Sequence, residues 1–486
     1  MNDTVLGHPK GLVTLFFTEM WERLSFYGMR ALLVLFMTDQ VINGGMGLTD
    51  ADATAIYGIY TALVYLVALP GGWIADRIIG AQSAILAGGI IIMCGHFVLA
   101  IPSINTFFLG LLLVILGTGL LKPNISAILG ALYMRGDHRR DAGFSIFYMG
   151  INLGGMLGPI ICGALAQNEN FGWHYGFAVA GIGMLFGVIQ FWKTRQYLGQ
   201  AGRKNINFNM RQKQFLFLVC MLIVLALFWF SRLNIENINF IKISEITTYI
   251  ILFAAFGFFA YVLLLGKLNT QERSRVWVII ALFLGASMFW AGFEQAGSSL
   301  NLFANRYTKL EFGWLTLYSS WFQSVNSIFI IIFAPMFAYL WIWLAKKNLN
   351  PSTPTKFAIG LLFLALGFFM MVMASSIVAN GNQAMPTWLL LTYLFHTFGE
   401  LALSPVGLSV TTKLAPKRFV GQMMGIWFVA SALGNLIAGR IAGEFNANNI
   451  SSFPDQYFNI VLTSAGAGII LLLASKSLQK LMGDVE

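Results

Sequence analysis

The sequence predicts an all-α polytopic membrane protein with 14 transmembrane helices. Of its 486 residues, 57% are apolar and only 10% are charged, whereas soluble globular proteins carry about 25% charged residues. The mean hydropathy of +0.73 agrees, and long apolar runs recur along the whole chain. Because so few charges cannot cover the surface of a water-soluble fold, a soluble multidomain enzyme is excluded.

The apolar runs define the predicted transmembrane helices. A bilayer-spanning helix needs about 20 predominantly apolar residues, and the chain contains 14 segments of this kind. An even number of spans places both termini on the same side of the membrane. The segments centre on residues 12–38, 51–75, 80–101, 105–132, 142–166, 173–192, 213–231, 244–266, 275–300, 314–344, 356–378, 387–412, 419–444 and 456–479.

The basic residues of the loops orient these helices. With the N-terminus in the cytoplasm, the external segments hold only a few cations, which are Arg232, Lys242, Arg306, Lys309 and Arg440. Cytoplasmic loops of membrane proteins are enriched in Lys and Arg, so we expect both termini to be cytoplasmic. The same bias accounts for the net charge of +10 without a nucleic-acid partner.

A basic, polar linker near residues 193–213 divides the predicted helices into six, two and six. We therefore expect an N-terminal six-helix bundle over 1–192, a linker with two inserted helices over 193–273, and a C-terminal bundle over 274–486. Two six-helix halves are the plan of major-facilitator transporters, whose substrate site lies between the halves. The sequence thus predicts a major facilitator fold, and the uncharged inserted pair is expected to face lipid.

A weak internal repeat fits this plan. In the fourth helix of the first half, Gly117 precedes Pro123 by six residues, and Gly399 precedes Pro405 in the same way in the second half. Because proline inside a span removes a backbone hydrogen bond, we expect bending points at matched positions.

Seven ionisable residues lie inside the predicted spans. Each costs about 2.5–3.5 kcal/mol at the centre of a membrane helix on insertion scales, so they must face an aqueous cavity or one another. They are Glu19, Glu22, Arg23, Arg30, Lys122, Glu294 and Glu400.

One face of the first helix carries most of these charges. Glu19, Glu22 and Arg23 stand at i, i+3 and i+4 and therefore share a face, which Tyr27 and Arg30 continue. This face fits either an intrahelical salt-bridge ladder or one wall of a cavity. The opposite face is apolar and is expected to contact lipid; it comprises Leu24, Leu32 and Leu35.

The charges are divided by sign between the two halves. Arg23, Arg30 and Lys122 belong to the first half, whereas Glu294 and Glu400 belong to the second. A cavity with one basic and one acidic wall complements a zwitterion. Its carboxylate can be bound bidentately by guanidinium groups. A peptide or amino acid therefore fits better than a sugar. The polar and aromatic residues expected around such a substrate are Tyr27, Tyr65, Asn152, Trp290, Asn326, Ser404 and Trp427.

Buried carboxylates beside cations also indicate coupling to protons. A substrate that displaces the cation from a carboxylate changes the proton affinity of that carboxylate. No nucleophile–base pair or metal-ligand set occurs in the sequence, so a membrane-embedded enzyme is not supported. We expect no cofactor and no metal, with the proton as the coupling ion.

Four motifs resemble those of the proton-dependent oligopeptide transporter family. Residues 19–28 resemble its first-helix signature ExxERFxYYG, and residues 147–154 are similar to its fifth-helix signature FYxxINxG. Residues 72–80 resemble the superfamily's loop motif, and 399–407 resemble the family's tenth helix. The resemblance covers essentially the whole chain, including the inserted helix pair usual in bacterial members.

The resemblance implies symport of di- and tripeptides with protons by alternating access, in the cell (inner) membrane. By motif match, Glu19, Glu22 and Arg23 form the proton-linked cluster, and Glu294 is a second proton-linked acid. The partners are then the peptide, the proton and the lipid bilayer, and we expect the chain to act as a monomer.

The resemblance also implies the substrate contacts. Arg23, Arg30 and Lys122 surround the peptide carboxylate, and Glu400 receives the peptide amine. In the empty state Lys122 and Glu400 form a salt bridge between the halves. The remaining implied roles are contacts to peptide backbone groups for Asn152 and Asn326 and a cytoplasmic gate for Asp76 and Arg77.

Two departures from the family pattern occur in the first helix. Phe26 replaces the first tyrosine of the signature, which removes one hydroxyl from the substrate site, and Leu24 replaces its phenylalanine. For His96 and His396 we expect structural roles, because the signatures do not include them.

Three alternatives remain open at this stage. A relative carrying nitrate or another small anion is disfavoured by Glu294 and Glu400, whereas a transporter of amino acid derivatives is compatible with them. A non-transporting peptide sensor on the same fold is disfavoured by the intact cluster in the first helix.

Overall fold

The computed structural model describes residues 4–5, 7–134, 137–204, 238–313, 315–445 and 449–483, with the backbone alone at 405, 406 and 408. Within these ranges, 12 helices are long and apolar enough to cross a membrane. The chain is therefore a multi-pass membrane protein. The predicted span 213–231 lies outside the described residues.

The described ranges contain 14 α-helices. They are α1 (Lys10–Thr38), α2 (Asp50–Ile74), α3 (Ala81–Leu99), α4 (Ile104–Ala131), α5 (Arg139–Ala166), α6 (Trp173–Thr194), α7 (Phe240–Leu265), α8 (Thr270–Phe293), α9 (Ser299–Tyr307), α10 (Phe322–Lys346), α11 (Thr353–Ala379), α12 (Pro386–Leu414), α13 (Val420–Gly443) and α14 (Phe453–Met482). Two short hairpins accompany them, β1 (Thr4–Val5) with β2 (His8–Pro9) and β3 (Glu311–Phe312) with β4 (Leu315–Thr316).

Helix α1 has 29 residues, within the range of 19 to 38 of the 12 apolar spans, but it is more polar because it carries the predicted charge cluster. With α1, 13 of the 14 predicted spans correspond to helices in the described ranges. Helices α8 and α9 together make one of these spans.

Two predicted helix boundaries were wrong. The span at 275–300 is interrupted after α8 by a 3₁₀ turn over Glu294–Gly297, and Ser298 leaves helical geometry at φ −124° and ψ −98°. The span at 314–344 begins only at Phe322, because the β3–β4 hairpin precedes it. In this hairpin Gly313 has a φ of +61°, which favours glycine.

The apolar face of α1 is buried in the protein, so the prediction that it contacts lipid was wrong. Leu24, Leu32 and Leu35 are all buried. Leu24 and Leu32 pack against Gly183 and Gly176 of α6, where an added Cβ would lie 2.9 Å and 2.6 Å from the leucine methyl groups. Because these glycines have no side chain, α6 approaches closely and covers the face that composition alone assigns to lipid.

Gly117 and Gly399, the two glycines of the predicted internal repeat, both lie where two helices pack closely. A Cβ on Gly117 of α4 would lie 2.6 Å from the carbonyl oxygen of Gly88 on α3. A Cβ on Gly399 of α12 would lie 2.7 Å from the carbonyl oxygen of Gly360 on α11. Small residues let helix backbones approach closely in membranes, so each glycine marks a close helix crossing in its own half of the sequence.

The chain divides into two compact units. Unit 1 comprises Met1–Leu32, Asp39–Gly47 and Leu66–Asn239, and unit 2 comprises Leu33–Thr38, Leu48–Tyr65 and Phe240–Glu486. Unit 2 thus includes the first part of α2. At the start of α2, Asp50 forms a bidentate ion pair with Arg306 of α9, at 2.6 and 2.8 Å.

The second inserted helix, α7, packs in unit 2 against α8 and α13. The rings of Phe259 on α7 and Phe283 on α8 are 5.6 Å apart. Away from this contact Phe253 and Leu264 are largely exposed. This side of α7 is an apolar surface of the kind that contact with lipid requires.

Candidate functional site

The charges predicted to share a face of α1 form a buried cluster in unit 1. Arg23 Nε donates a hydrogen bond to Glu19 Oε1 at 2.9 Å and lies 2.6 Å from Glu22 Oε2. All three side chains are nearly inaccessible to solvent. Since both acids stand on the same helix as the arginine, the intrahelical ladder considered from the sequence is formed.

The cluster leaves carboxylate oxygens without donors. Among the described residues, Glu19 Oε2 and Glu22 Oε1 are buried and accept no hydrogen bond, and Glu22 Oε2 has only the ion pair with Arg23. Lys122 of α4 is close enough for its charge to act on Glu22. Leaving a buried acceptor unsatisfied costs about 1–3 kcal/mol. Two carboxylates that share one guanidinium therefore provide a place for a proton to bind and leave as neighbouring charges change.

Aromatic rings flank both arginines of α1. The Arg23 guanidinium lies 5.4 Å from the centre of the Phe26 ring and 5.9 Å from that of Tyr27. The Arg30 guanidinium lies 5.7 Å from the Tyr27 ring. Such contacts are worth about 0.5–2 kcal/mol, depending on exposure. Phe26 therefore retains the ring face that touches Arg23, although it has no hydroxyl.

The fifth-helix motif packs directly behind this cluster. Gly154 of α5 faces the backbone of α1, where an added Cβ would lie 2.8 Å from Arg23 Cβ and 2.9 Å from the backbone nitrogen of Leu24. The glycine of the motif is required because a side chain here would separate the helices. Two residues earlier, Asn152 is buried and its Nδ2 donates to the carbonyl oxygen of Tyr148 at 2.9 Å.

A second polar group lies in unit 2 around Glu400. Asn326 Nδ2 on α10 donates to Glu400 Oε2 on α12 at 3.0 Å and to Thr397 Oγ1 at 3.0 Å. Thr397 Oγ1 in turn donates to the carbonyl oxygen of Tyr393 at 2.7 Å. The chain of hydrogen bonds orients the Asn326 amide, and the amide holds Glu400.

Thr397 is the residue of this group that the sequence analysis missed. It is fully buried and lies three residues before Glu400 on the same helix. Positions i and i+3 share a helix face, so its spacing from Glu400 is a signal that could have identified it. Its contact with Asn326 joins residues 71 positions apart, which spacing alone does not predict.

Glu294 lies at the break between α8 and α9 and is buried. Discontinuous helices mark substrate and ion sites in many transporters. One turn earlier, Trp290 packs edge-on against Phe293 with ring centres 5.3 Å apart. The Trp290 Nε1 donor is buried and makes no hydrogen bond within the described ranges.

The remaining predicted substrate residues of unit 2 lie on three helices. Trp427 of α13 is mostly buried against Gly407 of α12 and the ring of Phe357, 6.1 Å away. Tyr65 of α2 and Ser404 of α12 are half-buried. The Trp427 ring fits only because Gly407 lacks a side chain, so α12 and α13 approach each other closely here.

Two histidines, His96 and His396, are buried. His96 lies inside α3, and its ring nitrogens make no hydrogen bond to the described part of the chain. His396 is buried one turn before Glu400, with its ring 4.8 Å from the Phe368 ring and against Gly367. These surroundings are apolar, as the structural role expected from the sequence requires.

The predicted gate residues Asp76 and Arg77 are exposed in a π-helical turn, Ala75–Ile79, that continues α2. Their carbonyl oxygens accept hydrogen bonds from Lys204 Nζ at 3.0 and 2.7 Å. Within the described ranges, no group of three or more His, Cys, Asp or Glu side chains is arranged to hold a metal ion.

The chain is similar to known transporters along its whole length. A family model described as the POT family matches residues 82–459. The chain is 40% identical over 497 residues to the peptide transporter YePEPT of Yersinia enterocolitica, covering 99% of this chain and 97% of that protein. It is 39% identical over 501 residues to a di-/tripeptide transporter of Lactococcus lactis, covering 99% and 98%.

A solved structure agrees with these matches. The crystal structure of a mutant peptide transporter POT in complex with alafosfalin aligns with a TM-score of 0.89 at 40% sequence identity, covering 99% of this chain and 97% of that one. In sequence and in fold, the chain belongs to the POT family.

Proposed function

We propose that the chain is a proton-coupled symporter that imports di- and tripeptides by alternating access. The observation that carries this proposal is the placement of charge inside the helices, with arginines beside the acids Glu19 and Glu22 in unit 1 and acids alone among the predicted site charges of unit 2. Arg23 and Arg30 are buried in unit 1, whereas in unit 2 Glu294 is buried and Glu400 is half-buried. A zwitterionic peptide offers a carboxylate to the first set and an ammonium to the second. The names of the relatives from Yersinia and Lactococcus support the same substrate class.

Proton coupling is assigned to the α1 cluster. Glu22 is fully buried; its Oε1 accepts no hydrogen bond from the described residues, and its Oε2 has only the ion pair with Arg23. When a peptide carboxylate engages Arg23, the guanidinium interacts less with the two acids, and proton binding at Glu22 compensates for the lost charge. Glu294, at the helix break, serves as the second proton-linked acid.

The substrate amine is assigned to Glu400. In the structure this carboxylate accepts a hydrogen bond from Asn326. An ionised carboxylate accepts hydrogen bonds and carries the charge that an ammonium requires, which is why the amine is assigned to this residue. In the empty state we expect Lys122 and Glu400 to pair, so that peptide binding replaces one ion pair by two.

The location of the protein is part of the proposal. We place it in the cell membrane as a monomer with both termini in the cytoplasm, which is the orientation that the basic loops favour. Asp76 and Arg77 then lie at the cytoplasmic end of α2, where they act in the gate.

The test is uptake of a labelled dipeptide into proteoliposomes with the lumen more alkaline than the outside. We expect accumulation above the external concentration, and an ionophore that collapses the gradient should abolish it. Downhill exchange without concentration would exclude symport, and absence of any peptide movement, with peptide binding retained, would indicate a sensor. An amino acid derivative that is accumulated when peptides are not would reassign the substrate.

A further inference from the structure

The segment that follows α6 is docked on unit 1 instead of leaving it as a free linker. It comprises a 3₁₀ turn over Arg195–Leu198, turn residues 199–202 and an extension to Lys204. We call residues 195–204 the strap. Leu198 is buried in an apolar cluster formed by α1, α3, α4, α5 and α6. The strap is therefore anchored by burial as well as by polar contacts.

Glycine geometry allows the strap to lie close to α3 and α4. Gly202 has a φ of +68°, and an added Cβ would lie 2.7 Å from Ile128 Cγ1 and 3.0 Å from Ala81 Cβ. Gly80, at the start of α3, has a φ of +78°, and its added Cβ would lie 2.9 Å from Lys204 Cβ. Both positions combine a conformation that favours glycine with a close backbone approach.

Two polar side chains tie the strap to the start of α3 and to the π-helical turn at the end of α2. Gln82 Nε2 donates to the carbonyl oxygens of Ala201 and Gly199 at 2.8 and 3.2 Å. Lys204 Nζ donates to the carbonyl oxygens of Asp76 and Arg77. Gln82 thus holds the middle of the strap. Lys204, the last residue of the strap, in turn holds the π-helical turn at the end of α2.

The two carbonyl groups need such a donor. They belong to the π-helical turn at the end of α2, and the last carbonyls of a helix have no intrahelical donors. An ammonium at a helix C-terminus both satisfies these carbonyls and interacts favourably with the helix dipole. The backbone conformation of Asp76 and Arg77 therefore depends on Lys204.

We propose that Lys204, held in place by the strap, is a positioning residue that orients Asp76 and Arg77 for the gate. This inference rests on the proposed transport function, because it assigns Lys204 to the turnover step of that cycle. Lys204 Nζ donates to the backbone of the π-helical turn and lies outside the residues assigned to the peptide, so its loss alters how fast the gate operates and leaves peptide binding intact.

The first arm of the test is kinetic. Lys204→Ala is expected to lower the maximal rate of gradient-driven peptide uptake about fivefold or more, the scale of losing one net intramolecular hydrogen bond at an exposed site. KM should stay within about twofold of its original value, because no substrate contact is lost. Lys204→Arg, which keeps the charge and the donors, should restore most of the rate.

The matched control is Arg203→Ala, because Arg203 is the exposed, charged neighbour of Lys204 in the strap. It removes the same charge from the same segment and should leave the rate unchanged. Gln82→Ala is the second variant, since it loosens the strap without touching Lys204, and it should reproduce part of the loss. Equal losses in Arg203→Ala and Lys204→Ala would overturn the proposal.

The second arm does not depend on transport. Hydrogen–deuterium exchange in lipid nanodiscs should be faster at residues 75–80 in Lys204→Ala than in the original protein or in Arg203→Ala. Unchanged exchange there would overturn the proposal, as would faster exchange with an unchanged uptake rate. If the original protein moves no peptide, the proposed function fails, while the exchange result still decides whether Lys204 holds the gate turn.

Discussion

Two acidic groups in the described part of the chain, one around Glu22 and one around Glu400, are built in different ways. In unit 1, Glu19 and Glu22 are held by Arg23 on the same helix. In unit 2, Glu400 is held by Asn326, which is 74 positions away on another helix. The first group is preserved as long as α1 is helical, whereas the second exists only while α10 and α12 are packed in register.

This difference suggests a division of labour. A cluster confined to one helix keeps its internal geometry when that helix moves, which suits a proton site that is charged and discharged in every cycle. A carboxylate held from a neighbouring helix changes its surroundings when the helices shift, which suits a substrate site that must bind and release. The following predictions test this division, from the largest expected effect to the smallest.

Glu22→Gln tests the proton site. The amide cannot exchange a proton with solvent in the way a carboxyl group does, so accumulation driven by the proton gradient should be abolished. Counterflow of labelled peptide against unlabelled peptide should continue, because exchange needs no net proton movement. Glu169→Gln, the same change at an exposed position, is the control and should accumulate peptide normally. Normal accumulation by Glu22→Gln would contradict the assignment.

Glu400→Gln tests the substrate site. Loss of the charge should raise KM for a dipeptide about tenfold or more, since a hydrogen bond to a charged group contributes about 1.5–3 kcal/mol. An N-acetylated dipeptide, which has no ammonium, should inhibit dipeptide uptake only weakly. The inhibition should be equal in the original protein and in the variant. Strong competition by the acetylated peptide in the original protein would argue against an amine contact at Glu400.

Thr397→Val tests whether Asn326 must be oriented. Removal of the hydroxyl deletes one acceptor of the Asn326 amide, and KM should rise about two- to tenfold for a neutral hydrogen bond of about 0.5–1.5 kcal/mol. Thr397→Ser should restore KM. Thr411→Val is the matched control, because the hydroxyl of Thr411 donates only to the backbone of its own helix. An equal rise in the control would show a general packing effect.

Phe26→Tyr should have the smallest effect. The ring already contacts Arg23, so the substitution adds only a hydroxyl at the position where the family signature has one. We expect KM for dipeptides to fall by about two- to threefold, within the range of one neutral hydrogen bond. Competition by dipeptides and tripeptides of matched composition measures this change. A rise in KM would show that the site has no room for the hydroxyl.

Sequence reasoning was most successful where contacts are local. The grouping of Glu19, Glu22 and Arg23 follows from helical spacing alone, and the ion pairs are formed. It failed for Leu24 and Leu32, because an apolar face looks the same whether lipid or another helix covers it. Only the close approach of α6 at Gly183 and Gly176 distinguishes these cases.

The break after α8 and the docked strap show the same limit. Hydropathy runs through Glu294–Gly297 without a clear interruption, so the backbone change there was not predicted. The strap is polar and basic, and by composition it is a linker. Its role depends on the contacts of Gln82 and Lys204 with segments more than 100 residues distant.

The sequence by itself determined the membrane class, 13 of the helices now described, and the charged face of α1, because hydropathy and helical periodicity are local properties. The tertiary structure decided which helices cover α1, that Thr397 and Asn326 hold Glu400, and that Lys204 holds the turn at Asp76. These contacts join distant parts of the chain, and their geometry depends on how closely the helices approach. That approach is set by packing at glycines, whose individual contacts no local pattern specifies.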